Sequence, residues 1–499
     1  MPGDVLMERA ASGVAEICLS LLRAAEYSMP RVLVVAGKGN NGGDGFAVGR
    51  LLHQWGFHVD VWLCANREEV SGDALIHLQR LQDTGLSVRE MASVDPWQDA
   101  ASTCRVDLVV DALLGTGFSG EPHGGVAEAI RFVNRLADKA LVVSVDIPSG
   151  FPADEGQPPG ICVCADRTVS LGLPKLGFTV CGAAAYTGSI DVVDIGIPPS
   201  WHTEEEGDAI NITVVDEIRD ILPPAAWDAH KGSQGKVLLM GGSRRFSGAI
   251  QLAARATVRM GAGLTTVLVP ESLAPGLAAA CPEVMVMGCP ESDAGSLDSA
   301  LWSRWRSLWN DYDACLVGPG MTQEPDTAIL VRQILQESKV PLVLDADALF
   351  GLRGQLDLLS GADCPVILTP HPGEFARLME QSVEDVQANR EGMAVAASKL
   401  TQAVVVLKGA GTIVADGVHS SFNPTGNPAL ATGGSGDVLA GMITALAARG
   451  FGMQDAAKAA VWLHGNAADF ASYRHTRAGT RPIDVVEALP YALRLIRPR

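Results

Sequence analysis

Val32-Leu33-Val34-Val35-Ala36-Gly37-Lys38-Gly39-Asn40-Asn41-Gly42-Gly43-Asp44-Gly45 passes from a branched apolar run into a glycine-rich turn and then into a helical pattern. Glycines at such a turn let backbone N–H groups approach phosphate oxygens, and the helix that follows adds partial positive charge at its N-terminus. Gly37, Gly39 and Gly42 match the spacing of a dinucleotide-binding turn. That fingerprint also requires an acid at the end of the next strand to hold a ribose, and Asp60 falls mid-strand here, which disfavours an ordinary dehydrogenase. Near the other end of the chain, Gly433-Gly434-Ser435-Gly436-Asp437 forms a second such turn, so two separate nucleotide-handling sites are expected.

Outward from the first turn, β-rich runs at Val32–Ala36, Val59–Cys64, Leu108–Ala112, Leu141–Val145, Thr168–Leu171 and Ile190–Ile195 alternate with helical patterns. This alternation predicts an α/β fold, a doubly wound sheet with helices on both faces. It breaks at Ile197-Pro198-Pro199-Ser200 and the acidic Glu204-Glu205-Glu206-Gly207-Asp208, then resumes through Lys236–Met240, Thr265–Val269, Cys315–Val317, Leu342–Leu344, Val366–Leu368 and Val404–Leu407. Two domains are expected, 1–205 and 206–499, each an α/β/α sandwich and the first of them Rossmann-like. Trp302, Trp305 and Trp309 fall at helical spacing and predict a core stripe rather than a stacking platform.

The chain has 499 residues, is 47% apolar and only 5% aromatic, and holds 54 glycines, a mixture suited to packed parallel sheets. Its formal net charge of −19 argues against tracking nucleic acid or an anionic membrane, so any phosphate must be held locally by backbone and dipoles. The ten cysteines form no Cys-x-x-Cys pair, Cys162-x-Cys164 being the nearest approach, and buried reduced thiols are expected. Asp4, Glu8 and Glu16 interrupt the N-terminus, and no run reaches the ~18 apolar residues of a membrane span, so a cytoplasmic protein is expected.

Three polar groups recur at the carboxyl ends of first-half strands: Asn41, Asp111, and Asp146 with Ser149. In an open α/β sheet those ends line the ligand crevice. Oxygen donors from Asn41, Asp111 and Ser149 could hold a cation, leaving Asp146 free for proton transfer, although the same residues could equally cap helices or brace turns. Gly39–Gly45, then Val110-Asp111-Ala112-Leu113-Leu114-Gly115-Thr116-Gly117, then Asp146-Ile147-Pro148-Ser149-Gly150 resemble the epimerase domain of the NAD(P)H-hydrate repair enzymes. The resemblance implies that Asn40, Asn41, Gly42, Gly43, Asp44, Gly115, Thr116, Gly117, Phe118, Ser119, Gly120, Glu121 and Asp146 contact the hydrated dinucleotide, with Asn41, Asp111 and Ser149 ligating K+. Members of that family carry a further segment before the equivalent of Pro2–Glu8, a departure expected to bear on substrate closure or subunit contacts.

In the second half, Asp437 sits where the glycine N–H groups converge and is a candidate base beside a transferring phosphate. Lys408-Gly409-Ala410-Gly411-Thr412 and Thr369-Pro370-His371-Pro372-Gly373-Glu374 follow strands, and the two prolines suggest a fixed, site-facing His371. With His230-Lys231-Gly232-Ser233, Gly241-Gly242-Ser243, Gly318-Pro319-Gly320 and Asp345-Ala346-Asp347-Ala348, these segments resemble the ribokinase-like dehydratase half of the same enzymes. The resemblance implies nucleotide contacts at Lys408, Gly409, Ala410, Gly411, Thr412 and Gly436, and hydrated-dinucleotide contacts at Ala249, Gly320, His371 and Asp437. It further implies NADHX and NADPHX as substrates, ADP as co-substrate with Mg2+, and a homo-oligomer. Asp146 is the candidate acid/base for epimerisation and Asp437 the candidate base for phosphoryl transfer. The alternative is a ribokinase-like ATP-dependent small-molecule kinase fused to a nucleotide-sensing domain, which the Gly-Ser-Gly-Asp segment alone does not exclude.

Overall fold

The computed structural model describes residues 2–25, 27, 29–100, 104–197 and 211–497. The chain divides into two compact units, Met1–Ala209 and Ile210–Arg499. The expected boundary at 205/206 and the acidic stretch beside it lie outside the described residues.

The first unit is built on β1 (Arg31–Ala36), β2 (His58–Leu63), β3 (Val88–Glu90), β4 (Leu108–Ala112), β5 (Leu141–Val145), β6 (Arg167–Leu171) and β7 (Ser189–Val193). Their spatial order is β3-β2-β1-β4-β5-β6-β7 and every pairing is parallel. Val32, Leu33, Val34 and Val35 of β1 and Leu108, Val109 and Val110 of β4 are fully buried, because helices cover both faces and each face needs an apolar side chain. On one of these faces the core joins Leu33 and Val35 to Trp97, Ile130, Phe132 and Val133. The strand order reverses between β1 and β4, the position at which an open α/β sheet leaves a crevice beyond its carboxyl ends.

The second unit contains β8 (Asn211–Ile212), β9 (Lys236–Met240), β10 (Leu264–Pro270), β11 (Met285–Cys289), β12 (Ala314–Val317), β13 (Leu342–Leu344), β14 (Val366–Leu368), β15 (Val404–Leu407), β16 (Ile413–Ala415) and β17 (Ser420–Phe422). They form one sheet, β11-β10-β9-β12-β13-β14-β15-β16-β17-β8, parallel from β11 to β15 and antiparallel through β16 and β17. Here the order reverses between β9 and β12. Trp302 and Trp309 are buried in the core and meet edge to face at 5.2 Å, so the tryptophan stripe is a packing feature. All ten cysteines are free thiols. Among the described residues, no helix is long and apolar enough to cross a membrane.

Candidate active sites

In the first unit the helix Asn40–Gln54 starts directly behind β1, and its N-cap, Gly39, provides no side-chain cap, so the first N–H groups stay open. The glycines here are dictated by packing: a Cβ on Gly42 would lie 1.8 Å from the Gly37 carbonyl oxygen. Asn41 reaches across the strand reversal and donates to the Leu114 carbonyl at 2.8 Å. Asp111 is fully buried in β4. It accepts from the Ser149 N–H at 2.9 Å, the Ser149 hydroxyl at 2.6 Å and the Ser144 hydroxyl at 2.8 Å. Burial raises the Asp111 carboxyl above the ordinary value against the pull of these bonds, and no basic side chain pairs with it among the described residues. Asn41, Asp111 and Ser149, predicted from three separate segments, therefore form one polar cluster.

Asp146 follows β5 with φ 64°, a left-handed backbone that few non-glycine residues adopt. Its N–H donates to the Val169 carbonyl at 2.8 Å, which holds the turn. The carboxylate is oriented by the fold: Lys175 forms an ion pair with it and the Leu171 N–H donates to it at 3.1 Å. Lys175, which also donates to the Ser170 hydroxyl at 3.0 Å, stands in the loop after β6, and its pairing with Asp146, 29 positions away, is not marked in the sequence. Asp44, only 8% exposed in the helix behind β1, has its pKa raised well above its ordinary value, by burial first and then by the charge of Asp146. Gly115 lies against Asn41, where a Cβ would meet Asn41 Cβ at 3.3 Å. Thr116, Gly117, Ser119, Gly120 and Glu121 are exposed in the loop beyond β4, and Phe118 is half-buried among them.

In the second unit every expected polar group after a strand falls on neighbouring parallel strands. Ladder bonding continues past the strand ends: the Asp345 N–H donates to Val317, Thr369 to Leu344 and Lys408 to the Pro370 carbonyl. Asp345, 1% exposed, accepts from the Thr369 hydroxyl at 2.7 Å and from Lys408 at 2.8 Å through one oxygen, and its other oxygen is buried without a partner. Lys408 also lies 3.9 Å from Glu374. Burial presses the Lys408 ammonium downward, but Asp345, Glu374 and Asp437 more than offset this and its pKa ends above the usual value.

The helix Ser435–Ala448 begins beside Lys408. Its N-cap, Gly434, has φ 102° and supplies no side-chain cap, and a Cβ on Gly436 would stand 3.1 Å from Lys408 Nζ. Asp437 lies in the first turn, its pKa raised to about 7 by burial and then by Asp345, with Lys408 opposing. The loop Lys408–Thr412 is closed by Thr412, whose hydroxyl donates to the Gly409 carbonyl at 3.0 Å, and by Arg390, which donates to the Leu407 and Lys408 carbonyls at 3.0 and 3.1 Å. Arg390 begins a helix and carries no local motif, so it was missed.

His371 is held as expected, though by capping rather than by the prolines alone. Its Nδ1 accepts from the Gly373 and Glu374 N–H groups at 3.0 and 3.3 Å, and Glu374 accepts from the His371 N–H at 2.8 Å. Partial burial lowers the His371 pKa, so the neutral ring with its proton on Nε2 is favoured. Gly320 and Ala249 also come together, a Cβ on Gly320 lying 3.3 Å from Ala249 Cβ.

A family described as NAD(P)H-hydrate dehydratase matches residues 237–491, and one described as YjeF-related protein N-terminus matches residues 3–177. A bifunctional NAD(P)H-hydrate repair enzyme Nnr of Moorella thermoacetica is 40% identical over 499 residues, covering 99% of this chain and 93% of the relative. The chain belongs to the bifunctional NAD(P)H-hydrate repair enzymes. Another member, from Thermofilum pendens, is 35% identical over 497 residues, covering 99% of this chain and 92% of the relative. The ADP/ATP-dependent NAD(P)H-hydrate dehydratase of Bacillus subtilis, co-crystallised with ATP/Mg2+, matches with a TM-score of 0.51 and 30% identity, covering 58% of this chain and all of that one. The expected family, the two-part α/β fold and the bifunctional repair activity are thereby borne out, and the chain is placed with this family rather than with a fused small-molecule kinase.

Proposed function

We propose that this chain restores hydrated NADH and NADPH in two steps, epimerising the C6 carbinol in its first unit and dehydrating the S epimer in its second with ADP, which becomes AMP and phosphate. The observation that carries this reading is Asp437, a carboxyl tuned to about 7 beside Lys408 at an uncapped helix N-terminus. Asp437 takes the C6 hydroxyl proton as the oxygen attacks the β-phosphorus of ADP and AMP departs, while the Gly436 N–H at the helix N-terminus and the Lys408 ammonium steady the moving phosphoryl charge. Phosphate then departs from C6, assisted by the ring nitrogen's lone pair, and loss of the C5 proton restores the double bond. Lys408–Thr412 and Gly436 hold the nucleotide; Ala249, Gly320, His371 and Asp437 hold the hydrated dinucleotide.

Among the described residues, no cluster of three or more acidic, histidine or cysteine side chains forms a metal cage. Magnesium usually keeps waters and is bound through one or two carboxylates plus substrate phosphates, and the unpartnered oxygen of Asp345, with Glu374 nearby, fits that role. When bound, it neutralises phosphate charge. In the first unit the hard oxygens of Asn41, Asp111 and Ser149, with the uncompensated charge of Asp111, fit potassium. Asn40–Asp44 and Gly115–Glu121 hold the substrate. Asp44, whose burial favours the protonated form, gives its proton to the departing C6 hydroxyl, and Asp146 takes one from the water that adds to the opposite face of the iminium ion. The enzyme is expected to act as a cytoplasmic homo-oligomer. The test is recovery of reduced-nicotinamide absorbance from mixed hydrate epimers with protein, magnesium and ADP or ATP. An untouched hydrate with either donor would sink the reading.

A further inference from the structure

A cavity of about 150 Å³ adjoins the second-unit site and is lined in part by Asp347, Phe350, Arg353, His371, Glu374 and Arg377. The proposed substrate residue His371 borders it, whereas none of Lys408–Thr412 does. The acids on its wall are already engaged. Asp347 accepts from the Thr322 N–H at 2.8 Å, and Glu374 accepts from the His371 N–H and approaches Lys408. The arginines are not: the Arg353 guanidinium has no hydrogen-bond or ion-pair partner among the described residues, and Arg377 gives only its Nε–H, to the Gly373 carbonyl at 2.9 Å. In a chain with 57 acidic and 38 basic residues, exposed arginines such as Arg244 and Arg259 pair with carboxylates, whereas these two guanidinium groups share one cavity wall without such a pairing. Planar guanidinium forks match phosphate oxygens in bidentate fashion. Both side chains stand on short, fixed backbone: Arg353 just after the turn Asp347–Phe350, Arg377 in the last turn of the helix Pro372–Met379.

We propose that Arg353 and Arg377 form an anion subsite that takes phosphate oxyanions of the hydrated dinucleotide while its ring reaches Asp437. The proposal rests on the dehydratase reading above and deepens it by assigning the part of the substrate remote from the reacting carbon. Two phosphate groups could supply those oxyanions: the pyrophosphate bridge of both substrates, or the ribose 2′-phosphate of hydrated NADPH alone.

The experiment uses the full-length protein and its Arg353→Gln, Arg377→Gln and doubly substituted variants, with saturating ADP and purified S epimers of each hydrate. The expected result is a KM for the hydrate raised roughly ten- to hundredfold in the double variant, from loss of charge-assisted bonds. The value of kcat, the KM for ADP and the melting temperature should stay unchanged, and Lys at both positions should recover part of the affinity. An equal loss for both hydrates assigns the pyrophosphate; a loss confined to hydrated NADPH assigns the 2′-phosphate. Unchanged KM for both hydrates, or a KM shift for ADP instead, overturns the subsite. Calorimetric titration with inorganic pyrophosphate reads the subsite without turnover, with binding expected in wild type and lost in the double variant. A wild-type protein inert toward the hydrates would count against the dehydratase reading, while this titration still decides the subsite.

Discussion

Burial and then Asp345 raise the Asp437 pKa to about 7, and both its proposed use as a base and its cost to the fold follow from that. A base must be deprotonated to act, so kcat for dehydration of the S epimer should fall as pH drops through about 7, measured at saturating ADP and hydrate. The stability consequence has the opposite sense. A carboxyl with a raised folded pKa favours its protonated form in the native state, so ionised Asp437 destabilises the fold increasingly from pH 3.8 up to about 7 and fully above that. Asp437→Asn should therefore abolish dehydration yet raise the melting temperature at pH 8, a gain that shrinks as pH falls toward 3.8. A melting temperature lowered at pH 8 would contradict the assignment. At this scale the sequence exposes residues that bring their own backbone signal: Asp437 in its glycine turn, Asp146 before Ile-Pro-Ser-Gly. Lys175 and Arg390 stay hidden because the contacts that place them in the sites reach Asp146, 29 positions away, and carbonyls 17 or more positions away.

Elements repeat that division between local and distant information. Central strands such as β1, β4, β9 and β14 are buried on both faces and read as continuous apolar runs, so their positions are legible to within a residue. The strands passed over are β3, β8, β11, β16 and β17: a charged edge (Val88-Arg89-Glu90), a two-residue pairing, an edge with half-exposed methionines, and two three-residue partners of an antiparallel extension. Their formation depends on a neighbour being there to pair with. The glycine turn behind β1 makes a contrasting prediction about two of its own positions. Gly42→Ala places a Cβ 1.8 Å from the Gly37 carbonyl oxygen, so the helix Asn40–Gln54 must shift, costing about 1–3 kcal/mol with loss of epimerase activity. At Gly39, φ is −91° and a Cβ meets nothing within 4 Å, so Gly39→Ala should leave denaturant stability unchanged. Urea unfolding of the two variants should separate them cleanly, and equal losses would mean that the close approach at Gly42 does not govern this turn.

Across the whole molecule, each unit completes its own sheet, its own strand-order reversal and its own polar cluster from its own residues, which makes the two activities separable by point substitution. In the proposed scheme the first unit releases a freely diffusing epimer, and the second accepts only the geometry that permits in-line attack on phosphorus. Asp146→Asn should then restore reduced-nicotinamide absorbance only up to the S fraction of a mixed hydrate and stall, with the initial dehydration rate unchanged. Asp437→Asn should restore none of it while still interconverting the epimers, followed by chiral separation of the hydrates. Mixing the two variants should recover the full absorbance at a rate set by the slower activity and independent of which protein is in excess beyond that point. This outcome follows from the proposed scheme, in which the groups assigned to each step come from a single unit. A mixture that still stalled would show that the epimer must pass between units of one chain, and the sites would then have to be treated as one.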